Sequence, residues 1–254
     1  MPLHQPSDWS YPYPELLPGT LLKRYKRFLA DIELDSGETI TAHCPNTGPM
    51  TGVCHIGNRV MVSRSTNPKR KLAFTWELIE VKAENKSENT GGYVWTGINT
   101  ALPNRVMKSA LEHRLFPELG TYDTIKPEVP YGTDKKSRID FLLTGTPDER
   151  PIYVEVKNTT WTHGTRAIFP DTVTTRGQKH LRELTDLLPD ARAVMVYFIN
   201  RGDCDEFSPG DETDPTYGKL LREAAKAGVE ILPCRFQIEP EDIRFLGLAK
   251  TVIS

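Results

Sequence analysis

Two segments near the middle of the chain alternate between apolar and polar positions. In SRIDFLL, Ile139, Phe141 and Leu143 share one parity, and in IYVEVKN, Ile152, Val154 and Val156 do the same. A period of two marks strands with one buried face, so strands are predicted over 137–144 and 151–158, joined by the turn TGTPDER. Around them the rhythm changes. Residues 103–115 and 174–188 read as helices, the second with Leu181, Leu184 and Leu188 on its inner face and threonines to cap its start. Residues 121–131 read as extended. Residues 191–200, with VMVYFI at their centre, form an unbroken apolar run that suits a strand buried on both faces. A helix over 214–227 ends at Gly228 and precedes a strand over 229–236. This order predicts a mixed sheet with helices on its faces.

The first third reads differently. Strands are expected over 21–34, 39–45, 59–64 and 73–81, with Asp35-Ser36-Gly37 as a tight turn and Pro49, Gly52 and Gly57 breaking the middle. Short strands with glycine-rich turns predict a small barrel. The prolines and aromatics of the first twenty residues suggest an extended arm packed on the body. A polar tract ending in a glycine pair, from Lys82 to Tyr93, separates the parts. The expected domains are an arm and barrel over 1–85 and a second domain over 86–254. No internal repeat or low-complexity tract interrupts either.

Composition narrows the picture. With 38% hydrophobic and 26% charged residues, the 254-residue chain buries a core and stays soluble. It lacks an apolar run of about 18 residues, so no membrane-spanning helix is expected. Its N-terminus lacks the basic start and apolar stretch of a signal peptide. A cytoplasmic protein without a membrane partner is the expectation. None of Cys44, Cys54, Cys204 and Cys234 forms a C-x-x-C pair, which argues for reduced thiols over a zinc ribbon. His43-Cys44 and Cys54-His55 are adjacent pairs that point to opposite faces of a strand. A net charge of −2 is low for a nucleic-acid binder, so such binding has to rest on local clusters.

The face opposite the apolar positions carries Asp140, Glu155 and Lys157. Symmetric closure near Pro147 sets Asp140 across from Glu155, and Lys157 across from Arg138, with cross-strand Cβ atoms about 5 Å apart. Facing carboxylates repel, and a divalent cation relieves them. Mg2+, with Mn2+ as a substitute, takes hard oxygen ligands and keeps waters or phosphate oxygens in its shell. Such an ion polarises a phosphate and activates water. Lys157, on the same solvent-facing side, is placed to orient that water or meet charge growing on phosphorus. The plainer alternative is an exposed face with Asp140–Lys157 and Arg138–Glu155 ion pairs.

Further candidates surround this hairpin. Glu112, on the preceding helix, is a candidate third metal ligand, or else part of an ordinary surface with Lys108. Arg176 and His180 share a helix face near an N-terminus that favours phosphate, with Lys179 further out. They read either as phosphate-binding groups, with His180 as a general acid, or as a solvated basic face. Trp161 reads as core packing before base stacking. In the barrel, Lys23, Arg24, Lys26 and Arg27 interleave with Tyr25 and Phe28, a pattern that suits backbone contact with nucleic acid. Arg64, Lys69, Arg70 and Lys71 form a second basic cluster.

The order of elements, with Asp140 and Glu155-Val156-Lys157, resembles the restriction-endonuclease-like PD-(D/E)XK superfamily, with Ile139 where the name has proline. The segments HCPNTGPM, WTGINTALPNR, SRIDFLL, YVEVKNTTW, AIFPDTVTTRGQKHLREL and VMVYFINR are similar to the sugar fermentation stimulation protein A family. The resemblance implies an α+β or α/β chain: an N-terminal OB-like β-barrel followed by a restriction-endonuclease-like mixed sheet flanked by helices. It also implies DNA as partner, with RNA left open. Two functions follow. One is a DNA-binding protein with a metal-dependent phosphodiesterase site. The other is a DNA-binding regulator of sugar-metabolism genes on a nuclease scaffold that does not cut. A carbohydrate enzyme finds no support, since paired acids across a sugar-sized cleft are missing.

Overall fold

The computed structural model describes residues 9–83, 92–132 and 135–253. A short strand, β1 (Ser10–Pro12), comes first and is followed by β2 (Leu16–Tyr25), β3 (Leu29–Leu34), β4 (Thr39–His43), β5 (Arg59–Arg64), β6 (Phe74–Lys82) and β7 (Tyr93–Gly97). Strands β2 to β7 form one sheet in the order β4-β3-β2-β5-β6-β7. A parallel pairing of β4 with β6, Ala42 opposite Phe74, closes this sheet into a barrel. The alternating apolar positions turn inward, and Leu21, Ile32, Val60, Val62, Trp76 and Ile79 are fully buried together.

The strand expected over 21–34 is two strands. The chain folds back at residues 26–28, where Lys26 and Arg27 take left-handed φ angles of 48° and 65°. Neither glycine nor asparagine marks this turn, so its usual signal is missing. It is held from outside instead. The Arg24 guanidinium donates to the carbonyls of Arg27, Asn46 and Gly48 at 3.0, 2.9 and 2.8 Å, and Arg27 Nε donates to that of Thr47 at 2.8 Å. The boundary expected between residues 85 and 86 lies outside the described residues. Beyond it, β7 still pairs with β6, Tyr93 opposite Lys82, so the barrel sheet runs on to Gly97.

The rest of the chain continues through α1 (Leu102–Glu112), β8 (Thr124–Tyr131), β9 (Ser137–Thr144), β10 (Ile152–Thr159), β11 (Trp161–His163), β12 (Arg166–Phe169) and α2 (Thr175–Asp186). It ends with β13 (Arg192–Ile199), β14 (Glu206–Pro209), α3 (Pro215–Ala227), β15 (Glu230–Ile238), β16 (Asp242–Leu248) and β17 (Lys250–Thr251). The large sheet has the order β1-β16-β15-β13-β10-β9-β8, parallel at β10–β13 and β13–β15 and antiparallel elsewhere. The arm thus belongs to this sheet through β1. A smaller sheet, β11-β12-β14-β17, is built from strands too short to leave a periodic signal. Strand β13 is buried on both faces, as its apolar run predicts. Val194, Val196 and Phe198 pack in the core under α1, and Met195, Tyr197 and Ile199 pack under α2 and α3. Thr174 caps α2 by accepting from the Gly177 amide at 3.1 Å, and Asp214 caps α3 by accepting from Tyr217 at 2.9 Å. Gly228 ends α3 in the left-handed region at φ 118°. Among the described residues, no helix is long and apolar enough to cross a membrane.

Barrel and large sheet are joined along a seam. The Gly97 amide donates to the Asn200 carbonyl at 3.0 Å, Asn200 Nδ2 donates back to Gly97 O at 3.3 Å, and Thr96 bridges to Arg201. A Cβ on Gly97 would stand 2.1 Å from Asn200 Oδ1. Gly97→Ala is therefore expected to lower stability by about 1–3 kcal/mol through overpacking, measured as a shifted urea midpoint. An unchanged midpoint would show that the seam gives way freely.

Candidate metal centre

Strand β9 leaves β10 at the place where the chemistry was expected. The ladder pairs Ile152 with Leu143, Tyr153 with Leu142 and Val154 with Phe141, then stops; Glu155 and Asp140 would be the next pair. Beyond that point β9 stays paired with β8 alone. The side-chain alternation also breaks here. Phe141 and Leu143 pack under α1, whereas Ile139 packs under α2. All three are buried, but not on one face as their parity predicted. On the neighbouring strand Glu128, which lies between the partners of Phe141 and Ile139, has a left-handed φ of 54°. The Asp140 carboxylate occupies the opening. Its Oδ2 accepts from the Val156 amide at 2.7 Å and its Oδ1 from Asn104 Nδ2, in the first turn of α1, at 2.7 Å.

Glu155 lies beneath α2, close enough to Asp140 for its charge to act on that carboxyl, and is only 3% exposed. The expectation of a solvent-facing site is corrected here: α2 roofs the glutamate. Its Oε1 accepts from Lys157 Nζ at 2.7 Å and lies 2.5 Å from His180 Nδ1. Its Oε2 is buried without a hydrogen-bond partner. Arg176 Nε donates to His180 Nε2 at 3.4 Å and Lys157 Nζ lies 3.2 Å from His180 Nδ1, so the imidazole joins Glu155, Lys157 and Arg176 in one network. Tyr131 stands edge-on to the His180 ring, with its own hydroxyl buried and unpartnered.

The electrostatics are uneven. Burial and the nearby Glu155 charge push the Asp140 carboxyl up to about 6, against the pull of the Val156 amide, Asn104 and Lys157. Burial acts on Glu155 in the same sense, but Lys157 and His180 outweigh it and hold its carboxyl below the usual carboxylate range. One ammonium group thus serves two carboxylates, and the glutamate takes most of it.

The remaining candidates fall in different places. Glu112 is not brought to the pair. It lies eight residues beyond Asn104 on α1, about 12 Å along the axis, exposed and ion-paired with Lys108 at 3.6 Å. Arg138 turns away from Lys157 to donate to the Glu128 carbonyl at 2.9 Å. Lys179 bridges Ser137 Oγ at 3.1 Å and Glu183 at 3.3 Å. Trp161 is buried edge-on against His163. In the barrel, Arg24 and Arg27 are committed to carbonyls, Lys23 lies 5.5 Å over the Tyr25 ring, and Lys26 is exposed at the hairpin tip. Asn104 and Tyr131 were not singled out beforehand. A buried histidine among the leucines of α2 was the one available sign of a polar partner beneath that helix.

The pair fits a hard divalent cation in its chemistry. It presents carboxylate oxygens, one of them buried without a donor. Among the described residues no group of three His, Cys, Asp or Glu side chains converges. Waters and phosphate oxygens would have to complete the shell, which is the usual habit of Mg2+.

A closed barrel followed by a mixed sheet, with an aspartate and a Glu-x-Lys on its middle strands, defines an OB-like domain joined to a restriction-endonuclease-like domain. A model of the SfsA N-terminal OB domain matches residues 22–87, and one of the sugar fermentation stimulation protein RE domain matches residues 101–242. The chain belongs to the sugar fermentation stimulation protein family. A homolog from a Nostoc species is 67% identical over 97% of this chain and all of its own length. One from Synechocystis is 63% identical over the same shares. The structure of Pyrococcus furiosus SfsA in complex with Ca2+ aligns over 95% of this chain and 98% of that one, with a TM-score of 0.82 and 26% identity.

Proposed function

We propose that the chain binds DNA and hydrolyses its phosphodiester bonds with a divalent cation held by Asp140 and Glu155. The observation that carries this reading is the buried, unpartnered Glu155 Oε2 near an aspartate whose charge is offset only in part by the shared Lys157. The relative solved in complex with Ca2+ supports an oxygen-ligated divalent site. Mg2+ is the expected ion, with Mn2+ as its substitute. A cation bound there would polarise a phosphate oxygen and acidify a water. The chain's own residues do the rest. Asn104 and the Val156 amide fix Asp140, His180 fixes Glu155, and Lys157 supplies positive charge for the phosphate. Arg176, at the start of α2, and the exposed Lys23 and Lys26 are the groups offered to the DNA backbone; RNA would meet the same charges. Such a protein would act in the cytoplasm.

A second reading, a regulator that binds DNA without cutting it, draws on the near-complete burial of Glu155. The separating experiment is a cleavage assay on single-stranded, double-stranded and branched DNA and on RNA, with Mg2+ and then Mn2+. Cleavage abolished by chelation is expected. Binding without cleavage on every substrate form would leave the regulator. Affinity should also fall with added salt, and the pair Lys23→Ala and Lys26→Ala should reduce the salt slope by about 2. An unchanged slope would remove the hairpin tip from the contact surface.

A further inference from the structure

A cavity of about 360 Å³ lies between the arm, the barrel and the first turn of α1, on a different side of that helix from Asp140. On its floor is Glu77, 5% exposed, which accepts from Ser63 Oγ at 2.6 Å and Asn99 Nδ2 at 2.8 Å. No ion pair joins this carboxylate among the described residues. Tyr13 forms a wall, 9% exposed, with its hydroxyl buried and unpartnered, and Tyr11 lies beside it. Arg70 and Arg105 stand exposed at the rim with His43. Among the described residues neither guanidinium has a hydrogen bond or an ion pair.

These groups ask for different things of one ligand. Two unpaired guanidinium groups favour a phosphate. A buried carboxylate with lone pairs left favours N–H donors, and repels a simple anion that reaches the floor. Tyrosine rings favour a flat heterocycle. The volume is at the lower end of the range for ligand cavities, about 300–1,000 Å³. We propose that this cavity binds one nucleotide unit, its phosphate at Arg70 and Arg105 and its base against the tyrosines with an N–H edge on Glu77. Guanine, with two adjacent N–H donors on one edge, suits that carboxylate better than thymine, which has one. The unit is either a free nucleotide or the end of a strand. The inference itself does not depend on the metal centre.

The test is calorimetric titration of the full chain in EDTA with dGMP, dTMP, deoxyguanosine and inorganic phosphate. dGMP should bind at least tenfold more tightly than deoxyguanosine or phosphate, and more tightly than dTMP. The double variant Arg70→Ala with Arg105→Ala should lose at least tenfold in dGMP affinity with an unchanged melting temperature, since both side chains are exposed and unpartnered. Glu77→Gln should narrow the difference between dGMP and dTMP. A short 5′-phosphorylated oligonucleotide displaced by saturating dGMP identifies a strand end as the occupant, and one left bound identifies the free nucleotide. No dGMP binding, affinity equal to that for phosphate, or affinity unchanged in the arginine variant overturns the proposal. Nucleotide binding in EDTA with no cleavage in the earlier assay would sink the phosphodiesterase reading and leave this one standing.

Discussion

In metal-free buffer at neutral pH, Asp140→Asn melts at a higher temperature than the parent chain. The folded carboxyl titrates at about 6, against an ordinary value of 3.8. Between those values the native state holds more protons than the unfolded one, so stability falls as pH rises through the window. Above about 6 the penalty is complete, on the order of 3 kcal/mol at about 1.4 kcal/mol per pH unit. Asparagine removes the charge and retains an oxygen for the Val156 amide. The gain should be several degrees at pH 7.5 and vanish below about pH 4, where the parent is protonated too. Added Mg2+ should reverse the ranking, because only the parent gains stability by binding the ion. Calorimetric scans at both pH values, with and without metal, check all three statements. A variant that melts at or below the parent at neutral pH without metal would show that burial and the Glu155 charge do not penalise an ionised Asp140.

Lys157→Ala is expected to act on stability and chemistry together. Lys157 is the main countercharge of a carboxylate that is almost wholly buried, 2.7 Å away. Removing one partner of such a pair costs about 3–5 kcal/mol, because the other charge stays behind. His180 alone is left to compensate Glu155. A divalent cation takes over part of that duty, so Mg2+ should restore more stability to the variant than it adds to the parent. Turnover should still fall by about 10²–10³-fold, the usual loss when a group that stabilises transition-state charge is removed. Urea unfolding with and without Mg2+, together with cleavage rates, tests the division. A variant as stable as the parent without metal would mean that Glu155 is not held ionised by Lys157.

Much of the fold was legible because most elements obey their periods. The alternation in SRIDFLL and IYVEVKN marks β9 and β10, the apolar run of β13 marks a strand buried on both faces, and Thr174, Asp214 and Gly228 mark helix ends. What escaped reading breaks a period or comes from far away in sequence. A parity argument assumes regular pleating, so it could not see that β9 changes face at Asp140. The left-handed turn at Lys26 and Arg27 carries no glycine, and its support comes from carbonyls about twenty residues on. The same holds for the site. The proximity of Asp140, Glu155 and Lys157 follows from the hairpin, but the roof over Glu155 depends on where α2 docks, and Asn104 reaches Asp140 across 36 residues. Glu112 shows the converse: its residue type suits a ligand, and its position on α1 points it to Lys108.

The hydrogen bonds between Gly97 and Asn200, one between backbones and one from the Asn200 side chain, tie the barrel to the large sheet. Opening and shutting of the two bodies around a strand would have to break these bonds. Any nucleic acid that spans both must supply the bending itself. Bending stiff duplex over a short span costs several kcal/mol, least at flexible steps. A frayed end, a gap or a branch bends at almost no cost, so on the proposed function the seam would favour interrupted or single-stranded DNA before any base is read.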